Sequence, residues 1–91
     1  MITADDIRAG RVAKHRVIYD GTDTYADKER RPKRWKVTSV KLWKTRPTEF
    51  VLGVSFGMYQ FNRITDTNGW AADFFLTEEE ARANLEKRKA A

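Results

Sequence analysis

The fold is decided by one stretch of the chain, residues 49–57, which reads Glu-Phe-Val-Leu-Gly-Val-Ser-Phe-Gly. Bulky apolar side chains occupy every second position, and they are Phe50, Leu52, Val54 and Phe56. The positions between them are mostly small or polar. Because successive side chains of a strand point to opposite faces, this alternation predicts a half-buried antiparallel strand. We therefore expect the four bulky residues to lie in the core.

The preceding segment, residues 34–45, is also typical of a strand, but its apolar pattern changes register once. The apolar residues share one face only if a single residue is inserted near Ser39, which makes a β-bulge and bends the strand. The inward set is then Trp35, Val37, Val40 and Leu42, and the outward set is Lys36, Lys41 and Trp43. Without the bulge, Trp43 would instead point into the core.

Three further strands are predicted, over residues 11–19, 58–65 and 70–76. Asn68-Gly69 lies between the last two, and Asn-Gly is the strongest short signal for a hairpin. Within residues 70–76, the side chains expected to join the core are those of Trp70, Phe74 and Leu76.

Two helical segments are predicted from their capping residues. Thr3 can cap a short turn that ends at Gly10, and the side chain of Ile7 would anchor it. Thr77 and Glu80 have the spacing of a capping box, so a C-terminal helix should begin near Glu78. Its apolar stripe is thin and consists mainly of Ala81 and Leu85.

Together these elements predict an α+β fold that is mainly β, a small curved five-stranded antiparallel meander with an N-terminal helical turn and a C-terminal helix. An SH3-like barrel is the specific expectation, and an open sheet with the helix across one face is the alternative. The 91 residues are expected to form one domain. Residues 20–33 are polar and lack apolar periodicity, which predicts a long loop.

Composition argues against most catalytic and metal chemistry. The chain has no cysteine and one histidine, His15, so thiolate sites and multi-histidine sites are excluded. Asp20, Asp23 and Asp27 do not have the spacing of an EF-hand loop and are better explained as local charge balance. No apolar run approaches the roughly 20 residues of a membrane helix. We therefore expect a cytoplasmic protein that is not an enzyme, with no cofactor, no metal and no membrane partner.

Charge provides the main functional signal. Residues 28–46 contain nine basic residues and one Glu, a net charge of +8, whereas the whole chain has a net charge of +5. Clustered Lys and Arg side chains are the electrostatic signature of an anion-binding surface, and an exposed tryptophan can stack on a base. The predicted ligand-binding residues are Arg30, Arg31, Lys33, Arg34, Lys36, Lys41, Trp43, Lys44 and Arg46. The competing interpretation is a solvated face whose lysine stems cover apolar surface.

Two functions are consistent with these features. The first is a small non-catalytic module that binds an anionic ligand, with nucleic acid or a nucleotide the best candidate. The alternative is a protein-interaction module, an inhibitor or adaptor such as phages and mobile elements encode, which docks a partner through its β surface. The small residues Gly53, Ser55 and Gly57 would allow a ligand to approach closely, but strand curvature is the simpler explanation for them.

Overall fold

The computed structural model of the protein describes residues 1–21, 31–65 and 73–90. The chain is α+β and mainly sheet. Its elements are α1 (Ala4–Arg8), β1 (Val17–Asp20), β2 (Lys33–Leu42), β3 (Phe50–Phe56), β4 (Tyr59–Thr65), β5 (Phe74–Phe75) and α2 (Glu78–Ala90).

The sheet is an open antiparallel meander of four strands, β1 to β4, in chain order. The short segment β5 adds two residues on the other side of β1. A closed SH3-like barrel is not confirmed, because β4 and β5 lie at opposite edges of the sheet. The architecture agrees with the alternative that the sequence allowed, an open sheet.

The fifth strand has a different partner from the one predicted, and Leu76 lies beyond its end. Of the predicted range 70–76 the structure describes residues 73–76, and among these the strand covers Phe74–Phe75, which pairs with β1. Pairing with β1 places Phe74 opposite the buried Asp20, and the Phe74 side chain enters the core as predicted. Its ring lies 6.3 Å from that of Trp35 in an edge-to-face arrangement. The predicted Asn68-Gly69 turn and Trp70 lie outside the described residues.

The first strand is also shorter than the predicted 11–19. Residues 11–16 form turns, and His15 has a φ of 78°, which interrupts an extended strand. Its backbone N–H still donates to the carbonyl oxygen of Val37 at 2.8 Å, so the turn remains attached to β2. Val12 is buried although it lies in this irregular segment. The sequence pattern over 11–19 includes this apolar residue, and for that reason it resembles the pattern of a strand.

The bulge in β2 is confirmed. Val37 pairs with Val54, but the next pair is Ser39 with Gly53, so Thr38 is the inserted residue. As a result the inward set predicted for β2 contributes to the core: Val37 is buried, and Trp35, Val40 and Leu42 pack against the core cluster.

Gly53 lies directly below the side chains of this bulge. A Cβ atom at Gly53 would lie 2.4 Å from Ser39 Oγ and 2.8 Å from Thr38 Oγ1. The two hydroxyl groups therefore occupy the space above the glycine on the outer side of the sheet. Gly53 serves the packing of the chain's own side chains, and no ligand can approach its backbone without displacing them.

The core lies on the inner face of the sheet, and the N-terminal segment packs over it. The buried apolar residues of this cluster are Ile2, Ala4, Val12, Ile18, Val37, Phe50, Leu52, Val54 and Phe74. Leu76 packs against the cluster as predicted. Phe56 is half-buried instead of buried, because it lies at the end of β3, where its ring contacts Trp35 at 5.3 Å between centroids.

The N-terminal turn forms as predicted and is stabilised by Asp6. Thr3 Oγ1 accepts from the backbone N–H of Asp6 at 3.2 Å, and Asp6 Oδ2 accepts from the backbone N–H of Thr3 at 2.9 Å, a complete capping box. Arg11 Nε donates to Asp6 Oδ1 at 2.8 Å. Gly10 ends the turn with a φ of 78°, and Ile7 packs against the core.

We expect Asp6→Ala to destabilise the protein by about 1–2 kcal/mol at neutral pH, since it leaves hydrogen-bonding groups without their partner. Burial acts to raise the pKa of Asp6, but the bonds from Arg11 and Thr3 prevail and hold that pKa below its usual value. The stabilisation is therefore present above the unfolded-state pKa and is lost as the pH falls through the lower, folded-state pKa.

Urea unfolding of both proteins from pH 7 down to strong acid measures this effect. The difference in free energy of unfolding should shrink as the carboxylate is protonated. Asp5→Ala is the matched control, because Asp5 is exposed and forms only a surface pair with Arg8. A difference between Asp6→Ala and the parent protein that does not change with pH would contradict the expectation.

The C-terminal helix begins at Glu78, as predicted, and packs at the end of the sheet where β1 and β5 pair. The backbone N–H of Glu80 donates to Thr77 Oγ1 at 3.2 Å, which caps the helix. Ala81 and Leu85 are buried but do not belong to the core cluster. Asn84 Nδ2 donates to the carbonyl oxygen of Gly21 at 2.9 Å and attaches α2 to the end of β1.

Candidate functional site

The outer face of the sheet, opposite the core, carries a line of basic side chains on β2. Arg34, Lys36 and Lys41 are exposed, and they occupy the positions that alternate with the inward residues of the strand. We call these three residues the basic row. The bulge at Thr38 keeps Lys41 on the same face as Lys36, since it restores the alternation beyond the insertion.

The cross-strand neighbours of Lys36 and Lys41 have short side chains, whereas Arg34 pairs with Tyr19 of β1. Lys36 lies between Val17 of β1 and Ser55 of β3, and Lys41 lies beside Val51. The outward positions described for β1, β2 and β3 include no Asp or Glu. The ammonium groups of Lys36 and Lys41 therefore extend from a face of short, uncharged side chains and are accessible to a ligand from solvent.

The basic row is not neutralised by the described part of the chain. Within residues 1–21, 31–65 and 73–90, no ion pair involves a residue of the row. Other basic residues are paired: Arg46 Nη1 lies 3.0 Å from Glu49 Oε2, and Arg82 Nη2 lies 3.3 Å from Glu78 Oε1. The row thus retains positive charge that can interact with an external anion.

Trp43 extends the line of the basic row beyond the end of β2. It is half-buried and does not belong to the core cluster, so it follows the bulged register and not the register that would bury it. Lys41 Nζ lies 4.9 Å from the centroid of its ring, a cation–π contact on the outer face. The backbone N–H of Trp43 donates to the carbonyl oxygen of Glu49 at 3.5 Å, which continues the pairing with β3.

The remaining predicted site residues are dispersed. Lys33 is half-buried on the inner face, opposite Asp20 in β1, with its Nζ 5.6 Å from the centroid of Phe56. It therefore does not share a surface with the basic row. Lys44 and Arg46 are exposed in the turn after β2, and Arg46 is held by Glu49. Arg30 lies outside the described residues.

Arg31 and Arg34 meet in an open cleft at the start of β2. The cleft has a volume of about 330 Å³ and is lined by Tyr19, Arg31, Pro32, Arg34, Phe56, Gly57 and Glu78. Tyr19 enters the cleft because it is the pairing partner of Arg34 in β1. Sequence reasoning missed Tyr19 and Glu78 because no sequence signal indicates that the first turn of α2 lies close to this corner of the sheet.

Comparisons with protein-family models, with curated proteins and with solved structures find no match to this chain. In the described ranges, no three histidine or carboxylate side chains come together as metal ligands. No helix in the same ranges is long and apolar enough to span a membrane. The function is therefore inferred from the geometry and charge of the outer face.

Proposed function

We propose that this protein is a small non-catalytic module that binds nucleic acid or a nucleotide through the basic row, with Trp43 as the aromatic support. The observation that carries the proposal is that Arg34, Lys36 and Lys41 share one exposed face without ion-pair partners in the described residues. A cytoplasmic location, where nucleic acids are accessible, accompanies this proposal.

The chemistry of the row suits phosphate groups. Each Lys or Arg that neutralises a phosphate releases a condensed counterion, and this release contributes favourable free energy that depends on salt. Phosphate contacts of this kind orient the ligand but do not read its sequence. The indole of Trp43 offers a plane on which a base of any type can stack. The combination favours binding of nucleic acid with little sequence preference.

The open edge of the sheet supports the alternative, a protein-interaction module. In the described residues, β4 pairs with β3 on one side only, and an exposed strand edge can add a strand from a partner protein. This mode uses backbone hydrogen bonds at β4 and does not involve the basic row. The two functions therefore predict different effects for charge reversal on β2.

Arg34→Glu/Lys36→Glu should weaken nucleic-acid binding by about tenfold or more near physiological salt, because two phosphate contacts are lost. The slope of log K against log salt should become flatter by about 1.4 for a single strand. Fluorescence anisotropy with labelled oligonucleotides at several salt concentrations measures both quantities. Unrelated sequences should be affected equally, since the lost contacts are to the backbone.

The matched control is Lys14→Glu/Lys87→Glu, which changes the net charge by the same amount at exposed positions outside the row. It should reduce affinity much less than the reversal on β2. Equal losses in the two variants would mean that overall charge, not the basic row, drives binding. Dissociation constants weaker than millimolar for all DNA, RNA and nucleotides would overturn the proposal in favour of a protein partner.

A further inference from the structure

We infer that the ligand is a single-stranded nucleic acid whose backbone lies along β2, with phosphates on the basic row and one base against Trp43. This inference rests on the proposed function and makes it more specific, because it states the type of strand, its path and its length. Three features of the outer face support it: the linear order of the ligand-binding groups, the shape of the surface, and the contact between Lys41 and Trp43.

The ligand-binding groups lie in one line along a single strand. In order they are Arg34, Lys36, the hydroxyl groups of Thr38 and Ser39, Lys41 and Trp43. Alternate residues of a strand are about 6.7 Å apart, so the line from Arg34 to Trp43 is about 27 Å long once the inserted residue is discounted. A line of this kind can follow the extended backbone of one nucleic-acid strand. Its five successive positions correspond to a site of about four or five nucleotides, which is near the lower limit for small single-strand-binding domains.

The surface around the line is suited to a single strand and not to a duplex. A protein that reads a duplex usually inserts a helix or a two-stranded ribbon into the major groove. On the described outer face the charged side chains of the line belong to one central strand. Lys36 and Lys41 have the short neighbours Val17, Val51 and Ser55, and Arg34 lies beside Tyr19. Helix α2 is attached at Gly21, beside the Arg34 end of the line, and does not project from its centre.

The contact between Lys41 and Trp43 places a cation and a stacking plane within reach of one nucleotide. Lys41 Nζ is 4.9 Å from the indole centroid, so the ammonium group can move from the ring to a phosphate while a base takes its place on the indole. The bases of a duplex are already stacked on each other and cannot reach this plane, whereas those of a single strand can. Binding should therefore quench the fluorescence of Trp43.

The test uses the full chain with labelled oligothymidylates of two to twelve nucleotides and with a blunt hairpin duplex. Affinity should increase steeply up to four or five nucleotides and only slightly beyond that length. The duplex should bind at least tenfold more weakly than the longest single strand at the same salt concentration. Tryptophan emission, recorded in parallel, should decrease when the single strand binds.

Variants of Trp43 separate stacking from a structural effect. Trp43→Ala should reduce single-strand affinity by about five- to a hundredfold, the usual range for a lost base stack. Trp43→Phe should keep most of the affinity, because it retains an aromatic plane. It should lose the part of the quenching that arises from Trp43, whereas Trp35 packs against the core on the inner face and should not respond. Unfolding curves of both variants show whether the protein remains folded.

A duplex that binds as tightly as the single strand would overturn the inference and leave the proposed function intact. The same conclusion would follow if affinity increased steadily to twelve nucleotides without a break. Normal binding by folded Trp43→Ala would overturn the inference and would also remove Trp43 from the proposed function, leaving the basic row alone as the binding surface. Absence of binding to every nucleic acid would overturn both the inference and the proposed function. The two failures are therefore distinguishable in one set of titrations.

Discussion

Phe50→Ala should lower the free energy of unfolding by about 3–5 kcal/mol, the usual cost of removing a buried phenylalanine ring. Phe50 is 1% exposed and is among the largest fully buried side chains of the described residues. It begins β3 opposite Leu42 and belongs to the cluster that joins the sheet to the N-terminal segment. Because domains of this size are stable by only about 5–15 kcal/mol, the variant should be close to unfolding.

Urea denaturation followed by circular dichroism measures the loss. Phe50→Leu keeps most of the apolar contact and should be clearly less destabilising than the alanine variant. Met58→Ala is the control for an exposed apolar residue, since Met58 is 97% exposed, and it should change stability by less than about 0.5 kcal/mol. Equal stabilities of Phe50→Ala and Met58→Ala would show that β3 does not pack as described.

Gly21→Ala should lower the free energy of unfolding by about 2–3 kcal/mol, because the new methyl group has no space. A Cβ atom at Gly21 would lie 2.6 Å from Cε2 of Phe75 and 3.1 Å from Nδ2 of Asn84. The backbone cannot move aside easily, since the N–H of Gly21 donates to the carbonyl oxygen of Asp73 and its own carbonyl oxygen accepts from Asn84.

A double variant tests the cause. In the Gly21→Ala background, Phe75→Leu should recover part of the lost stability, because the shorter side chain makes room for the methyl group. Gly53→Ala is a useful comparison and should cost less, since the groups it meets are the hydroxyls of the exposed Thr38 and Ser39, which can rotate away. If the effects of Gly21→Ala and Phe75→Leu on the free energy of unfolding simply add, the steric explanation is excluded.

The strand and helix signals that the sequence predicts correctly are short-range. The alternation over 50–56 predicts both the strand and its inward face, because only one face of an antiparallel strand needs to be apolar. The change of register near Ser39 predicts the bulge for the same reason. Thr3 and Thr77 mark helix starts because a capping hydroxyl acts within three residues of chain.

The candidate site could be predicted only in part. The excess of basic residues over 28–46 is visible in the sequence, and it contains the basic row. Which of its members share a face depends on strand register, however, since a shift of one residue moves a side chain to the opposite face. Lys33 and Arg34 are adjacent in sequence and lie on opposite faces of β2 for this reason.

What the sequence by itself determined is the set of features that act within a few residues: the alternating strand, the bulge, the helix caps and the location of the positive charge. The tertiary structure alone decided that β5 pairs with β1, that α2 is attached at Gly21, and that Tyr19 meets Arg31 and Arg34 in one cleft. These contacts join residues far apart in the chain. They depend on how the surfaces of distant segments pack against each other in the folded chain, and neither the composition nor the periodicity of the sequence specifies this packing.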